Sequence, residues 1–169
     1  MSKIHPLVVQ LHFARKSFMD CLATVPDEDA GKRINQMNCL SWTIGHLANQ
    51  EQRYWLQSAQ GLTLFPELND LVGYGKPASM PEKADMMKAW QDITAKADEY
   101  LSTLTSKIME SKFISPERTF TETIGTMLLR NIYHYWYHTG EARTVRELLG
   151  HTDLPEYVGD MTEAYYRPE

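Results

Sequence analysis

Apolar residues recur along the chain with the spacing of an amphipathic α-helix, and no segment alternates at every second residue like a half-buried strand. Gly61 and Gly150 stand just beyond two of the helical segments, where glycine commonly ends a helix. The pattern predicts an all-α protein, arranged as an antiparallel up-and-down four-helix bundle. The four long segments lie at about 6–24, 40–60, 79–108 and 121–149.

Two short motifs predict where the third and fourth helices begin. Ser79 is followed three residues later by Glu82, and Thr119 is followed in the same way by Glu122. In a capping box the hydroxyl accepts a hydrogen bond from the first helical turn, while the carboxylate reaches back to the cap. We therefore expect Ser79 to cap the third helix, and Thr119 offers the same cap to the fourth.

The connection between the second and third helices, residues 61–78, is longer than a simple helix–helix link. We expect it to pack across one end of the bundle, because it is too apolar for a disordered linker. A length of 169 residues fits one domain, so residues 1–169 are predicted to form a single unit. The apolar residues of the connection are Leu62, Leu64, Phe65, Leu68, Leu71, Val72 and Tyr74.

The fourth helix carries a seam of inward-facing positions that is apolar at both ends and polar in the middle. A polar layer inside a bundle is unfavourable unless its groups are satisfied. His134 and His138 are four residues apart, so their side chains share one face of the helix and can share one metal ion. The seam consists of Ile124, Met127, Asn131, His134, His138, Glu141, Val145 and Leu148.

A third metal ligand must come from another helix. His46 is the best candidate, because antiparallel packing can bring the middle of the second helix level with the histidine pair. His5, His12 and His151 lie outside the predicted layer. No glutamate directly follows His134 and the chain has no Glu-x-x-His sequence, which excludes zincin proteases and ferritin-like di-iron bundles. The alternative is that the histidines form ordinary hydrogen bonds within the core.

Several residues near this layer have more than one interpretation. Glu141 can accept an imidazole N–H, act as a general base, or form an ion pair with an arginine, and Glu51 has similar alternatives. Asn131 is expected to orient a ligand histidine, and Arg130 either holds an anionic substrate or is solvated. Gly140 costs up to about 1 kcal/mol relative to alanine inside a helix, so we expect another helix to approach closely there.

Charge and cysteine content restrict the class of protein further. A net charge of −5 without a basic stripe argues against a nucleic-acid partner. Cys21 and Cys39 form no CxxC motif and indicate reduced, intracellular thiols. No segment is as apolar as a membrane span, and the first residues do not resemble a signal peptide. We therefore expect a cytoplasmic protein with no membrane partner.

The sequence Trp-Thr-Ile-Gly-His-Leu at 42–47, followed by His-x3-His-x-Gly at 134–140, resembles the DinB-like (DinB/YfiT) superfamily over almost the whole chain. Characterised relatives include low-molecular-weight thiol S-transferases, such as the bacillithiol and mycothiol enzymes, and the mycothiol-dependent maleylpyruvate isomerase. Others have been described as metal-dependent hydrolases. The resemblance implies a four-helix bundle, often a homodimer, with one divalent metal ion per chain on His46, His134 and His138.

Three neutral imidazoles would leave a bound ion with its full charge and with open coordination positions. Zn2+ in such a site can lower the pKa of a bound water to ~7, or bind and deprotonate a thiol, and Ni2+ or Fe2+ could also occupy three histidines. The resemblance therefore implies a metal-dependent S-transferase that uses a low-molecular-weight thiol and a small-molecule substrate. A metal-dependent hydrolase built on the same site is one alternative. A non-catalytic metal-binding or dimeric interaction protein is the other.

Overall fold

The structure, a computed structural model, describes residues 4–114 and 119–167. Within these ranges the regular elements are helical, apart from an isolated bridge between Ile114 and Thr119, so the predicted all-α class is confirmed. A π-helical segment, Gln52–Ser58, continues α3, and a 3₁₀ turn spans Thr162–Ala164. The α-helices are α1 Pro6–Leu22, α2 Asp27–Ala30, α3 Leu40–Glu51, α4 Leu68–Val72, α5 Lys83–Leu101, α6 Ser106–Met109 and α7 Ile124–Leu148.

The four long helical segments share one hydrophobic core. The most extensive helix–helix contacts join α3 to α5 and α1 to α7, and α3 also contacts α7. Because α3 and α7 touch, polar side chains at mid-length on their facing sides come together inside the protein. None of the helices in the described ranges combines the length and apolarity needed to cross a bilayer. Fully buried core residues include Leu11, Phe18, Ile44, Leu47, Trp55, Ile93, Leu101 and Leu128.

The third long segment differs at both ends from the sequence prediction. α5 starts at Lys83, and its N-cap residue, Glu82, makes no side-chain cap. Ser79 instead donates its hydroxyl to the carbonyl of Leu71 at 2.6 Å. The predicted capping box is therefore wrong, because Ser79 fastens the preceding connection. The helix ends at Leu101, and α6 is a separate turn within the predicted span.

The start of α7 also lies a few residues later than predicted. Thr123 caps the helix, since its Oγ1 accepts a hydrogen bond from the backbone N–H of Thr126 at 3.2 Å. Glu122 forms an ion pair with Arg130 instead of reaching back to a cap. The capping box that begins at Thr119 is therefore wrong as well.

The end of α7 leaves the core earlier than the seam predicted. Leu148, the last seam position, is 58% exposed. A straight α-helix drifts by about 20° per heptad from a repeat of alternating three and four, and over the length of α7 this drift turns the last position outward. Gly150 follows with a positive φ of 87° and ends the helix as predicted.

The long connection after the second segment is tied to the helices by hydrogen bonds. Gln52 accepts from the backbone N–H groups of Leu64 and Phe65, both at 2.9 Å, and donates to the Phe65 carbonyl at 2.8 Å. Within the connection, α4 packs against α3 and buries Leu68 and Val72 completely. This fixed position brings the carbonyl of Val72 to the side chains of α3.

A buried ionic cluster, which we call the arginine network, joins four helices. Arg15 of α1 donates from Nε to Glu51 of α3 at 2.7 Å and from Nη1 to Asp98 of α5 at 2.7 Å. Tyr135 of α7 donates to Glu51 at 2.7 Å and accepts from Trp90 at 2.8 Å. Burial raises the pKa of Tyr135 and the Glu51 charge raises it further, so the phenol keeps its proton. Of the alternatives for Glu51, the structure shows the interhelical ion pair.

Candidate metal centre

The histidine triad, His46, His134 and His138, lies where α3 meets α7. His134 and His138 project from one face of α7, and His46 faces them from α3. The Nε2 atom of His134 is 3.2 Å from that of His46 and 3.0 Å from that of His138. The structure therefore brings together the three histidines that the sequence selected, and the group could hold a metal ion.

The orientation of His46 is fixed on two sides. Its Nδ1 lies 2.8 Å from the carbonyl oxygen of Val72, which can only accept a hydrogen bond. We therefore assign the ring proton to Nδ1, which leaves a bare lone pair on Nε2. The ring also stacks on Trp42 in the preceding turn of α3, with centroids 4.5 Å apart and planes within 13°.

His138 is oriented by a carboxylate. Its Nδ1 lies 2.6 Å from Oε2 of Glu141, so the proton sits on Nδ1 and Nε2 again carries a bare lone pair. Carboxylates that accept from a histidine in this way commonly orient metal ligands and increase their basicity. The alternative ion pairs are used elsewhere, because Arg143 pairs with Glu147 and Arg146 pairs with Asp153.

His134 stands between the other two rings and is the least satisfied of the three. Among the described residues, its buried Nδ1 finds no hydrogen-bond partner. Burial, and then the proximity of His138 and of His46, together lower the pKa of His134 to about 3. Burial also lowers the pKa of His46, although the bond to Val72 opposes this shift. Both rings are therefore neutral near pH 7.

The donor set fits a divalent cation. Two ring nitrogens present lone pairs to the same point, and a proton on Nε2 of His134 can serve only one of them. A cation at that point would satisfy all three nitrogens at once. Neutral imidazoles are common ligands for zinc and nickel.

A pocket of about 490 Å3 opens on the outer side of His134. Its polar wall includes Arg130, one helical turn before this histidine, and its apolar wall includes Leu129 and the ring of Tyr133, which is 64% exposed. A small molecule in this pocket would therefore lie directly beside the triad. The full lining is Gln50, Thr126, Leu129, Arg130, Tyr133 and His134.

A sequence profile of the DinB superfamily matches residues 10–142. This chain belongs to the DinB superfamily. The matched region covers most of the chain and contains the whole histidine triad. DinB-like proteins bind metals, and among the described residues the triad is a group that could hold one. No curated protein gave a significant match to the chain.

The remaining histidines of this DinB protein have other partners. His5 accepts from the backbone N–H of Leu7 at the start of α1. His12 lies 3.0 Å from Asp98, and Nε2 of His151 lies 3.0 Å from Asp29. Their separation from the triad agrees with the sequence analysis.

The cysteines also lie apart from the triad. Cys21 and Cys39 are both buried free thiols, as expected. Cys39 is the N-cap residue of α3, and its sulfur lies 3.3 Å from the hydroxyl of Ser41.

Two expectations for α7 are wrong. Asn131 does not orient a triad histidine: its Oδ1 accepts from the Trp55 indole at 2.7 Å, and its Nδ2 donates to Oε1 of Gln50 at 2.9 Å. Gly140 is exposed, and a Cβ built on it meets nothing within 4 Å. No helix of the described chain approaches there, so close packing does not explain this glycine.

Three contributors to the DinB site were missed by sequence reasoning. The Val72 carbonyl carries no side-chain signal, and Gln50 becomes part of the pocket only when α3 packs on α7. The stacking partner of His46 did leave a signal, because Trp42 precedes it by four residues and so shares its face of α3.

Proposed function

We propose that this DinB-superfamily protein is a metal-dependent transferase that acts through a low-molecular-weight thiol. One Zn2+ or Ni2+ ion per chain would be held by His46, His134 and His138. The observation that carries the proposal is the convergence of their Nε2 atoms while Val72 and Glu141 fix the tautomers of two rings. A bound divalent ion would supply a Lewis acid that lowers the pKa of a thiol.

Glu141 is a positioning residue in this proposal. Its Oε2 accepts a hydrogen bond from Nδ1 of His138 at 2.6 Å, which holds that ring in place. The carboxylate is then engaged and does not serve as the general base that a hydrolase can use to take a proton from water. A divalent ion would lower the pKa of a bound water as well as that of a bound thiol, so a hydrolase is the alternative on the same metal site.

The proposed reaction moves a thiol sulfur onto an electrophilic carbon. The thiol releases its proton to solvent, a sulfur–carbon bond forms, and the leaving group departs with the electron pair of the bond that breaks. The pocket beside His134 provides space for a small-molecule substrate next to the triad. His46 and His138 keep their Nδ1 protons throughout, because Val72 and Glu141 hold them.

We also propose that the four long helical segments form an antiparallel up-and-down bundle and that residues 1–169 are one domain. The contacts of α1 with α7, of α3 with α5 and of α3 with α7 support this arrangement. A single hydrophobic core that draws on all four segments supports the single domain.

The deciding experiment offers the metal-loaded protein a haloalkyl electrophile together with bacillithiol, mycothiol, glutathione or coenzyme A, and detects the conjugate by mass spectrometry. We expect one thiol to give a conjugate at a rate that falls to background after chelation. His138→Ala should abolish it, and His12→Ala, outside the triad, should not. Cleavage of an ester, amide or lactone without thiol would instead establish a hydrolase. Inertness in both assays with metal bound would establish a binding protein.

A further inference from the structure

We infer that the pocket beside the triad selects ligands that carry a carboxylate, held by Gln50 and Arg130, while another atom of the same ligand faces the three histidines. The inference rests on the proposed function, because it assigns a substrate class to the same site. It concerns the part of the pocket that lies outside the histidines.

A chain of three side chains determines which end of the Gln50 amide can serve the pocket. The indole N–H of Trp55 can only donate, so the atom of Asn131 that it meets at 2.7 Å must be the oxygen. Asn131 then donates from its NH2 group to the oxygen of Gln50 at 2.9 Å. The NH2 group is therefore the end of Gln50 left for a ligand, and it is a donor. The buried Trp55 indole therefore determines, through Asn131, that Gln50 offers a hydrogen-bond donor in the pocket wall.

Arg130 supplies the second donor. Its Nε and Nη2 atoms meet the two carboxylate oxygens of Glu122, so the guanidinium is held in one orientation. A guanidinium has five N–H groups, and this pair of bonds leaves the Nη1 edge for another acceptor. The pair is exposed, with 52% of the Arg130 side chain accessible, so Glu122 neutralises the arginine only in part. A ligand carboxylate can therefore add to this pair or displace Glu122.

The spacing of these groups limits the ligand. Arg130 precedes His134 by one turn of α7, a rise of about 6 Å. One short ligand molecule can thus place its carboxylate against Arg130 and a metal-binding atom against the triad. Leu129 and Tyr133 give the same pocket an apolar side that suits the carbon atoms between the two ends. The expected ligand is a small carboxylic acid that carries a thiol or other metal-binding group a few bonds away.

The test uses 3-mercaptopropionate and its methyl ester, which differ only in the negative charge. Each is titrated into Co2+-loaded protein, and the sulfur-to-cobalt charge-transfer absorption reports binding. Arg130→Met should weaken binding of the acid by about three- to tenfold and leave the ester unchanged. Gln50→Glu still accepts from Asn131 but replaces the donor with a carboxylate, so it should weaken the acid at least as much.

Two further variants make the test specific. Glu122→Gln removes the competing carboxylate and should strengthen binding of the acid. Arg143→Met, an arginine of α7 outside the pocket, should change neither ligand. An acid-to-ester affinity ratio that is the same in the unaltered protein, Arg130→Met and Gln50→Glu would overturn the inference.

A metal-free arm separates this inference from the proposed function. NMR spectra of the Gln50 side-chain amide and the Arg130 Nε–H are recorded during the same titrations with chelator present. Shifts caused by the acid and not by the ester would support the carboxylate site even if cobalt fails to bind. Cobalt binding without any acid-specific shift or affinity difference would overturn the carboxylate site and leave the metal centre intact.

Discussion

The interior holds two polar layers of opposite character. In the arginine network, donors and acceptors alternate: Arg15 and Tyr135 donate to Glu51, and Tyr135 accepts from Trp90. In the histidine triad, the Nε2 atoms of His46 and His138 both present lone pairs to Nε2 of His134, which can donate to only one of them. The arginine network is satisfied by its own side chains, whereas the lone pairs that converge in the triad could be satisfied together by a cation. The difference teaches that hydrogen-bond complementarity, more than burial or polarity, separates a structural layer from a binding site.

Both layers are built on the same stretch of α7. His134 and Tyr135 are adjacent in the chain, but successive residues of a helix point about 100° apart. Tyr135 therefore turns towards α1, where its ring meets the edge of Phe18, while His134 turns towards α3. One helix thus serves two layers with neighbouring residues.

The largest expected effect comes from breaking the arginine network. Glu51→Ala leaves the guanidinium of Arg15, which is 5% exposed, without its buried carboxylate. Removing one partner of a buried pair costs about 3–5 kcal/mol, so urea unfolding should show a loss of that size. Lys16→Ala breaks an exposed pair with Asp20 and should cost less than about 1 kcal/mol. Equal losses in the two variants would contradict the structural role of the network.

Substitution of a triad histidine should affect stability mainly through the metal, unlike substitution in the arginine network. His138→Ala removes one of the converging lone pairs together with the hydrogen bond to Glu141, so the metal-free protein should lose less stability than Glu51→Ala does. What it should lose is stabilisation by metal, which is about 2.7 kcal/mol at a free concentration one hundred times the dissociation constant. Thermal unfolding with and without zinc measures both quantities. A variant that is strongly destabilised in chelator but still stabilised by zinc would reverse the assigned roles.

As pH falls, the metal-free protein should lose the stability contributed by the triad before it loses that contributed by the arginine network. The folded pKa of His134 is about 3, against an ordinary value of 6.5. As pH falls below 6.5, His134 binds a proton in the unfolded chain but not in the folded one. The free energy of unfolding therefore decreases progressively below that pH. Burial raises the pKa of Asp98, but His12 and Arg15 outweigh it and lower the pKa below 3.8. Stability from Asp98 is therefore lost only at lower pH.

This order of events can be measured by urea unfolding in chelator at about pH 7 and at about pH 5. The lower pH lies between the ordinary pKa values of histidine and aspartate, so it protonates unfolded histidines but few aspartates. We expect a lower midpoint at the acidic pH, and His134→Gln should reduce the difference. If His134→Gln leaves the pH dependence unchanged, then the triad does not cause it.

The smallest expected change in stability comes from Gly140, a position of α7 outside both polar layers. Gly140 has open space around it, so Gly140→Ala should stabilise the helix by about 0.5–1 kcal/mol. The gain should be equal with and without metal, which chemical unfolding in zinc and in chelator can check. A loss of stability would show that another surface packs against this glycine.

Helical periodicity was sufficient to locate the long helices, because each has a stripe of core residues that repeats about every turn. The ends of the helices were harder to predict. Ser79 and Glu122 match a capping motif, but Ser79 donates to the Leu71 carbonyl and Glu122 pairs with Arg130. The spacing of His134 and His138 selected the triad, because four residues along a helix brings two rings together. The choice of His46 depended on packing that only the resemblance and the bundle geometry supplied.

The two glutamates show where sequence reasoning stops. Glu51 and Glu141 had overlapping interpretations, yet one forms an ion pair with Arg15 and the other orients His138. Glu51 meets an arginine of another helix, whereas Glu141 meets a histidine one turn away on its own helix, and tertiary packing sets which contact forms. The Val72 carbonyl was invisible for a similar reason, because a backbone atom has no identity in the sequence.

The hydrogen bond from His46 to the Val72 carbonyl links the triad to the mobility of a distant part of the chain. When the ring of His46 donates to this carbonyl, α4 must be in place, and Gln52 holds the segment that leads into it. A cation on the triad would polarise the ring and strengthen that bond. Amide hydrogen exchange in residues 64–72 and occupancy of the triad are therefore two measures of one local opening equilibrium.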